Sequence, residues 1–337
     1  MKRREFIGLV GSTVAACPFA ASAQQLRKVY RIALVHPTNS IIDMGQNSPI
    51  RSYRTFFDEL RGLGYVEGQN LIVERFSGEG RRDRYAELAI NVVRLKPDLI
   101  FAISAIMAAR VKIATNTIAI VTVTTDPVVV GLVTSISHPG GNLTGVVVDP
   151  GLEIWGKRLE LLQEIVPGLS KVGFLATRLN WELPQGQGVA IRQAAQRLRL
   201  TVSGSALDEP GRETDYRRAF AGMSHDRVGA LVVSDEPENF TNRKVIVELA
   251  ESAGLPAIYP WRENIELGGL MAYAFDDVEL FRHAAHQVDQ ILKGANPGDI
   301  PFYQSAKFEL VINLKGAKAL GLTVPPSLLA RADQVIE

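Results

Sequence analysis

Ser104, Asp126 and a trio of aromatics, Trp181, Tyr259 and Trp261, stand where short apolar runs give way to polar loops. A serine that closes a strand and opens a helix can offer its hydroxyl and the free N–H groups behind it to a carboxylate, at the positive end of the helix dipole. The same serine can equally be a plain N-cap. Asp126 ends the apolar run Ile118–Val123 and can pair with an ammonium group, although Asp before Pro127 is also a common turn former. The aromatics can stack on a flat solute or sit over a cation, or they can plug their loops against the core beneath. Asn39, Asn180, Ser234 and Asp235 lie in equivalent loops and complete the candidate binding set, with Tyr273 further along as a wall or a hinge-packing residue.

Catalytic signatures are missing. There is no G-x-S-x-G, no Walker loop and no G-x-G-x-x-G, and Gly62-Leu63-Gly64 falls at a helix end rather than after a strand. Of the five histidines, His283 and His286 are spaced i, i+3 on an amphipathic stretch, but no acid or cysteine stands at a matching spacing for a metal. Asp276-Asp277 and Glu236-Glu238 read as ordinary helix-start or loop acids. No catalytic residue, metal or cofactor is expected.

Those loops need elements to hold them. Short β-branched runs alternate with longer amphipathic stretches, the pattern of strands and crossover helices in parallel sheets, so the fold class is α/β. The first strand is Lys28–Val35, followed by a helix through Phe56, Phe57 and Leu60, then strands at Asn70–Phe76, Pro97–Ile103 and Ile118–Val123. The order then repeats: Lys171–Ala176, Thr201–Gly204, Val228–Val233 and Leu255–Tyr259 answer the first four strands. Two Rossmann-like lobes follow, each with one parallel sheet covered on both faces. The first spans 28–148 plus about 274–305 and the second 149–273, with crossings at Asp149-Pro150-Gly151 and Gly268–Tyr273. The tail 306–337 carries a strand Phe308–Asn313 and a short helix opened by Pro325-Pro326, and its lobe stays open. In open parallel sheets solutes bind beyond the carboxyl ends of the strands, which is where the candidate residues lie.

Bulk properties narrow the partners. The chain has 37 Lys and Arg against 36 Asp and Glu, so no basic field exists to hold a nucleic acid or an anionic membrane. Cys17 is the only cysteine, which excludes disulfide scaffolds and Cys-ligated zinc. Residues 1–23 read as an export signal: Lys2, Arg3 and Arg4, an apolar run from Phe6 to about Ala16, then Ala21-Ser22-Ala23 before Gln24. Arg3-Arg4-Glu5-Phe6-Ile7 resembles a twin-arginine core, and the general secretory route stays open. Val14-Ala15-Ala16-Cys17 also fits a lipoprotein box, with Cys17 as the anchor. The apolar run is shorter than the roughly 20 residues needed to span a bilayer. A periplasmic, monomeric protein is expected.

Longer stretches are familiar: Asp126-Pro127 with Gly131-Leu132-Val133, Pro139-Gly140-Gly141-Asn142-Leu143-Thr144-Gly145, Lys157–Leu162, Gly268-Gly269-Leu270-Met271, Ile291–Ala295, and Lys307–Leu314 running on to Ala319–Leu329. Together with the signal, these make the chain resemble the ABC transporter substrate-binding proteins, TrpX-like and of the type I periplasmic binding fold. The resemblance implies two lobes on a multi-strand hinge, an amino-acid-like and often aromatic solute in the cleft, and delivery to an ABC permease of the inner membrane. It places the cleft at Ser104, Asp126, Ser234-Asp235 and Tyr259. Where many members carry a Gly-Thr turn after the third strand, this chain has Ile103-Ser104-Ala105, and Trp181 stands where proline is usual, so the resemblance leaves the ligand itself open. The rival readings are a sensor module that signals to a membrane receptor and an enzyme using Asp126, Asp235 or a histidine in the same cleft.

Overall fold

The computed structural model describes residues 28–148, 153–184, 186–208, 211–305 and 307–337. The export segment with Cys17, and the break at Asp149-Pro150-Gly151, lie outside the described residues.

Thirteen strands are described: β1 (Tyr30–His36), β2 (Leu71–Ser77), β3 (Leu99–Ile103), β4 (Ala119–Thr124), β5 (Leu143–Val147), β6 (Lys171–Thr177), β7 (Thr201–Leu207), β8 (Ala230–Val233), β9 (Ala257–Tyr259), β10 (Met271–Phe275), β11 (Tyr303–Gln304), β12 (Phe308–Asn313) and β13 (Gln334–Ile336). They form two sheets, ordered β11-β5-β4-β3-β1-β2 and β13-β12-β10-β9-β8-β6-β7. The five residues of β3 are all buried, as a run such as Leu-Ile-Phe-Ala-Ile must be when helices cover both faces of a sheet. In each lobe the first strand of the repeat lies inside the sheet, β1 between β2 and β3 and β6 between β7 and β8, so the two halves share one winding order.

The first sheet is parallel throughout, as the alternating pattern requires. The second is not. β12 runs antiparallel to β10, with Phe308 opposite Phe275 and Ile312 opposite Met271. The chain re-enters this sheet at the edge where β10 leaves it, so β12 can only run back down.

Three crossings join the lobes. The chain passes from β5 to the helix Glu153–Ile165, from β10 to the helix Asp277–Leu292, and from β11 to β12. The second crossing therefore falls after Phe275 and not at Gly268–Tyr273, because Met271–Phe275 is still a strand of the second sheet. The helix Asp277–Leu292 returns to the first lobe, packing on the helix Arg51–Gly62 and on β4 and β5. The tail joins the second sheet through β12 and β13. No described helix is long and apolar enough to cross a membrane.

Candidate functional site

The carboxyl ends of both sheets face one cavity of about 530 Å³, within the range of roughly 300–1,000 Å³ that small-molecule sites occupy. The first lobe supplies the ends of β1, β3 and β4 through His36, Ile103, Ser104, Thr124 and Asp126, together with Asn39 and Tyr53. The second lobe supplies Thr177, Asn180, Gln187, Asp235 and Glu236, with Trp155, Phe240 and Trp261 as aromatic walls. Trp261 meets Phe240 edge-on, with ring centroids 5.1 Å apart, and Tyr53 meets Phe281 in the same way at 5.4 Å.

Ser104 is the N-cap that its place in the sequence allows, and it stands at the cavity. Its hydroxyl accepts from the Met107 N–H as the N-cap of the helix Ala105–Ala114, while Ala105 and Ile106 of that first turn line the cavity. Its backbone sits at φ +83° and ψ 147°, a region that favours glycine. A non-glycine residue held there stores on the order of 1–3 kcal/mol. The hydrogen bond from its N–H to the Val123 carbonyl, at 2.8 Å, helps to pin that conformation.

Asp126 spends one carboxylate oxygen on its own loop: Oδ1 accepts from the N–H groups of Val128 and Val129 at 2.8 and 3.2 Å. His36 ends β1 with a buried ring whose Nδ1 accepts from the N–H groups of Thr38 and Asn39. Burial pushes its pKa down to about 3, so the ring is neutral at physiological pH. Asn39 donates to the Tyr53 hydroxyl at 3.3 Å and lines the cavity.

In the second lobe Glu236 is a structural anchor. Its carboxylate accepts from the Thr177 N–H, the Thr177 hydroxyl and the Ser234 hydroxyl, which ties the ends of β6 and β8 together. Burial and the neighbouring Glu238 nonetheless raise its pKa. Asp235 accepts from the Gln187 amide through Oδ1. Burial raises its pKa, and the Arg158 guanidinium partly offsets that.

Four of the ten expected residues lie outside the cavity lining, each for a visible reason. The Trp181 indole fills the space above Gly204, where a Cβ would stand 2.2 Å from Cε2, and Arg192 lies over its ring at 4.2 Å. Tyr259 is buried in its own lobe against Gly269, whose missing side chain makes room for the ring. Ser234 is fully buried, donating to Glu236 and accepting from Asn239 at 2.8 Å. Tyr273 stacks on Phe308 of the antiparallel neighbour, with centroids 5.3 Å apart. Asn39, Ser104, Asp126, Asn180, Asp235 and Trp261 do line the cavity. His283 stacks on Tyr303 and His286 pairs with Glu59 at 3.7 Å, so the two imidazoles serve different partners. No group of three or more potential metal-ligating His, Cys, Asp or Glu side chains occurs among the described residues.

Sequence reasoning passed over Gln187 and Arg82, which sit at a helix start and in a short turn that only the tertiary fold brings to the cleft, and it set Glu238 aside as an ordinary acid although it lines the cavity. Thr124, the last residue of β4, was legible as part of the loop that carries Asp126. Along one wall the lobes touch: Arg82 pairs with Glu238 at 3.4 Å, Thr38 donates to the Pro237 carbonyl at 3.2 Å, and the Thr241 hydroxyl lies 2.8 Å from that of Thr38.

A family model described as ABC transporter substrate binding protein matches residues 44–336. A tyrosine-binding protein of Clostridioides difficile (strain R20291) is 25% identical over 275 residues, covering 81% of this chain and 77% of that one. Among solved structures, an ABC domain from Streptococcus pneumonia in complex with L-Trp is 25% identical with a TM-score of 0.78, covering 92% of this chain and 100% of that one. A conserved domain protein from Vibrio cholerae shares the fold with a TM-score of 0.79 at 23% identity, covering 91% of this chain and all of that one. The fold is that of type I periplasmic binding proteins, and the chain belongs to the family of ABC transporter substrate binding proteins.

Proposed function

We propose that this protein captures an amino-acid-like solute with a bulky apolar, often aromatic, side chain in its interlobe cleft outside the cytoplasm and hands it to an ABC permease. The observation that carries this reading is a cavity bounded by strand ends of both sheets at once. A solute there touches both lobes, and only contacts made to both favour a closed form over an open one. The aromatic walls suit a flat side chain, and the names of the two relatives, one a tyrosine binder and one an L-Trp complex, point the same way.

Binding without turnover fits the site better than catalysis. His36 is a weak base with its Nδ1 occupied, Glu236 is held by three donors, and one oxygen of Asp126 is tied to its loop. The segment 1–23 supports export, and the family supports a permease over a receptor as the partner. Trp155 and Trp261 line the cavity, so titration with a panel of amino acids, followed by intrinsic fluorescence and melting temperature, tests the reading directly. A micromolar or tighter hit that raises the melting temperature and is recovered unchanged is expected. A flat response to the whole panel, or conversion of the bound compound, overturns it.

A further inference from the structure

We propose that solute capture takes up a proton at a pair of carboxylates, Glu263 of the second lobe and Asp277 of the first, that stands at the edge of the cleft. This deepens the reading above and rests on it. A small chamber of about 90 Å³ lies beside the solute cavity and shares Trp261, Phe275 and Asp277 with it, so these three side chains stand between the two spaces. Glu263, in the short helix Glu263–Glu266, lines the chamber from the second lobe. Asp277 lines it from the first turn of the helix that returns to the first lobe, beside Ser52.

The chamber holds more acid than its bases neutralise. Those bases are Arg51 and Arg262, and Arg262 is committed to Glu309 at 3.2 Å and to Glu266 at 3.4 Å. Asp276 pairs with Lys307 at 3.8 Å. Arg51 therefore answers both Glu263 and Asp277, with Arg243 acting on Glu263 alone, and among the described residues neither carboxylate has an ion pair. Burial, with Glu266 beside Glu263, outweighs Arg51 and Arg243 at Glu263. Burial, with Glu263 and Asp276, outweighs Ser52 and Arg51 at Asp277 and pushes its pKa up to about 8. Two such neighbours ionise one at a time, and the second gives up its proton beside a charge already there.

A solute makes that second charge costlier. Asp277 lines the cavity, so water reaches it from that side in the free protein. A bulky apolar side chain lodged against Trp261 and Phe275 takes the place of that water and favours the neutral acid. By linkage, a solute that raises the proton affinity of a site binds the protonated form more tightly. Well below pH 8 Asp277 already holds its proton and contributes no pH dependence to capture. Above it, affinity falls as pH rises, until the liganded form ionises too.

Calorimetric titration of the chain lacking residues 1–23 counts the proton. The probes are L-tyrosine, L-tryptophan, L-phenylalanine and L-leucine, each at pH 7 and pH 8 in phosphate and in Tris, whose different ionisation heats give the protons exchanged. At pH 8 the wild-type protein is expected to take up about 0.2–0.5 proton per solute bound, as for a half-protonated group whose proton affinity rises about threefold to tenfold. Asp277→Asn, neutral at every pH, is expected to take up less than about 0.1 proton and to bind at pH 8 at least as tightly as the wild type. Glu263→Gln removes the neighbouring charge, so its uptake is expected to be largest nearer pH 7, where the wild type takes up about 0.1 proton or less. Asp235 and Glu236, also raised by burial, are unchanged in both variants, so the difference between proteins assigns the proton. Circular dichroism and melting curves confirm that both variants fold. No uptake by the wild type, the same uptake by Asp277→Asn, weaker binding by Asp277→Asn at pH 8, or a Glu263→Gln profile that does not move overturns the coupling. Each of these leaves the capture of amino-acid-like solutes standing. If none of the four compounds binds, both proposals fall together.

Discussion

Ser104 shows how one residue can be legible in type and illegible in conformation. Its place after an apolar strand and before a helix predicts a cap, and the cap is there. Its positive φ arises because β3 must end, turn and start a helix within one residue while its N–H stays bonded to β4. Two substitutions separate cap from strain. Ser104→Gly removes the Cβ and is expected to be neutral or to stabilise by about 1 kcal/mol, since glycine loses only a few tenths as a cap. Ser104→Ala loses the cap and keeps the strain, so it is expected to cost about 1 kcal/mol; denaturant midpoints of the two variants give the comparison. Trp181 and Tyr259 failed as cleft residues for a related reason. An aromatic in a loop is visible in the sequence, but the slot that receives it is set by Gly204 or Gly269 across the fold. A glycine inside a strand, as Gly204 is, was the available signal of close approach.

The succession of strands along the chain, the repeat and the tail strand were legible because runs such as Leu99–Ile103 are buried on both faces and carry no competing pattern. β11 and β13 were not, since two and three residues leave no periodicity to read. The second crossing was displaced for the opposite reason: Gly268-Gly269 punctuates the chain within a lobe, while the true crossing follows β10 without a breaker. That crossing delivers Asp277 to the first turn of its helix beside Ser52, in a cleft-side position where burial and the nearby Glu263 raise its pKa to about 8. An acid with a raised folded pKa contributes stability that is complete below its unfolded value near 3.8 and is lost as pH climbs to about 8. Asp277→Asn is therefore expected to flatten the fall in stability between about pH 4 and 8 and to raise stability at pH 8 by on the order of 1–3 kcal/mol, measured as urea midpoints across that window. A variant that loses stability at pH 8 counts against a buried, protonation-prone Asp277.

At the scale of the molecule, capture depends on how the two lobes move about three crossings, and the wall formed by Thr38, Pro237 and Thr241 with the Arg82–Glu238 pair is where they already meet. Each such neutral hydrogen bond is worth about 1 kcal/mol net, so a few of them bias the opening equilibrium by one to two orders of magnitude without locking it. If that wall parts when solute enters or leaves, tying it shut slows exchange while leaving the cavity intact. The hydroxyls of Thr38 and Thr241 lie 2.8 Å apart, and Cys17 is the only native cysteine, so none among residues 28–337 competes for pairing. Oxidised Thr38→Cys/Thr241→Cys is expected to release bound solute at least about tenfold more slowly than its reduced form, because the open state is removed from the ensemble. Stopped-flow displacement with and without reductant reads the difference. Equal rates in the two redox states place the moving edge of the cleft elsewhere, with the exposed Val128–Val130 loop facing Leu179 and Leu183 across the same cavity as the surfaces left to close.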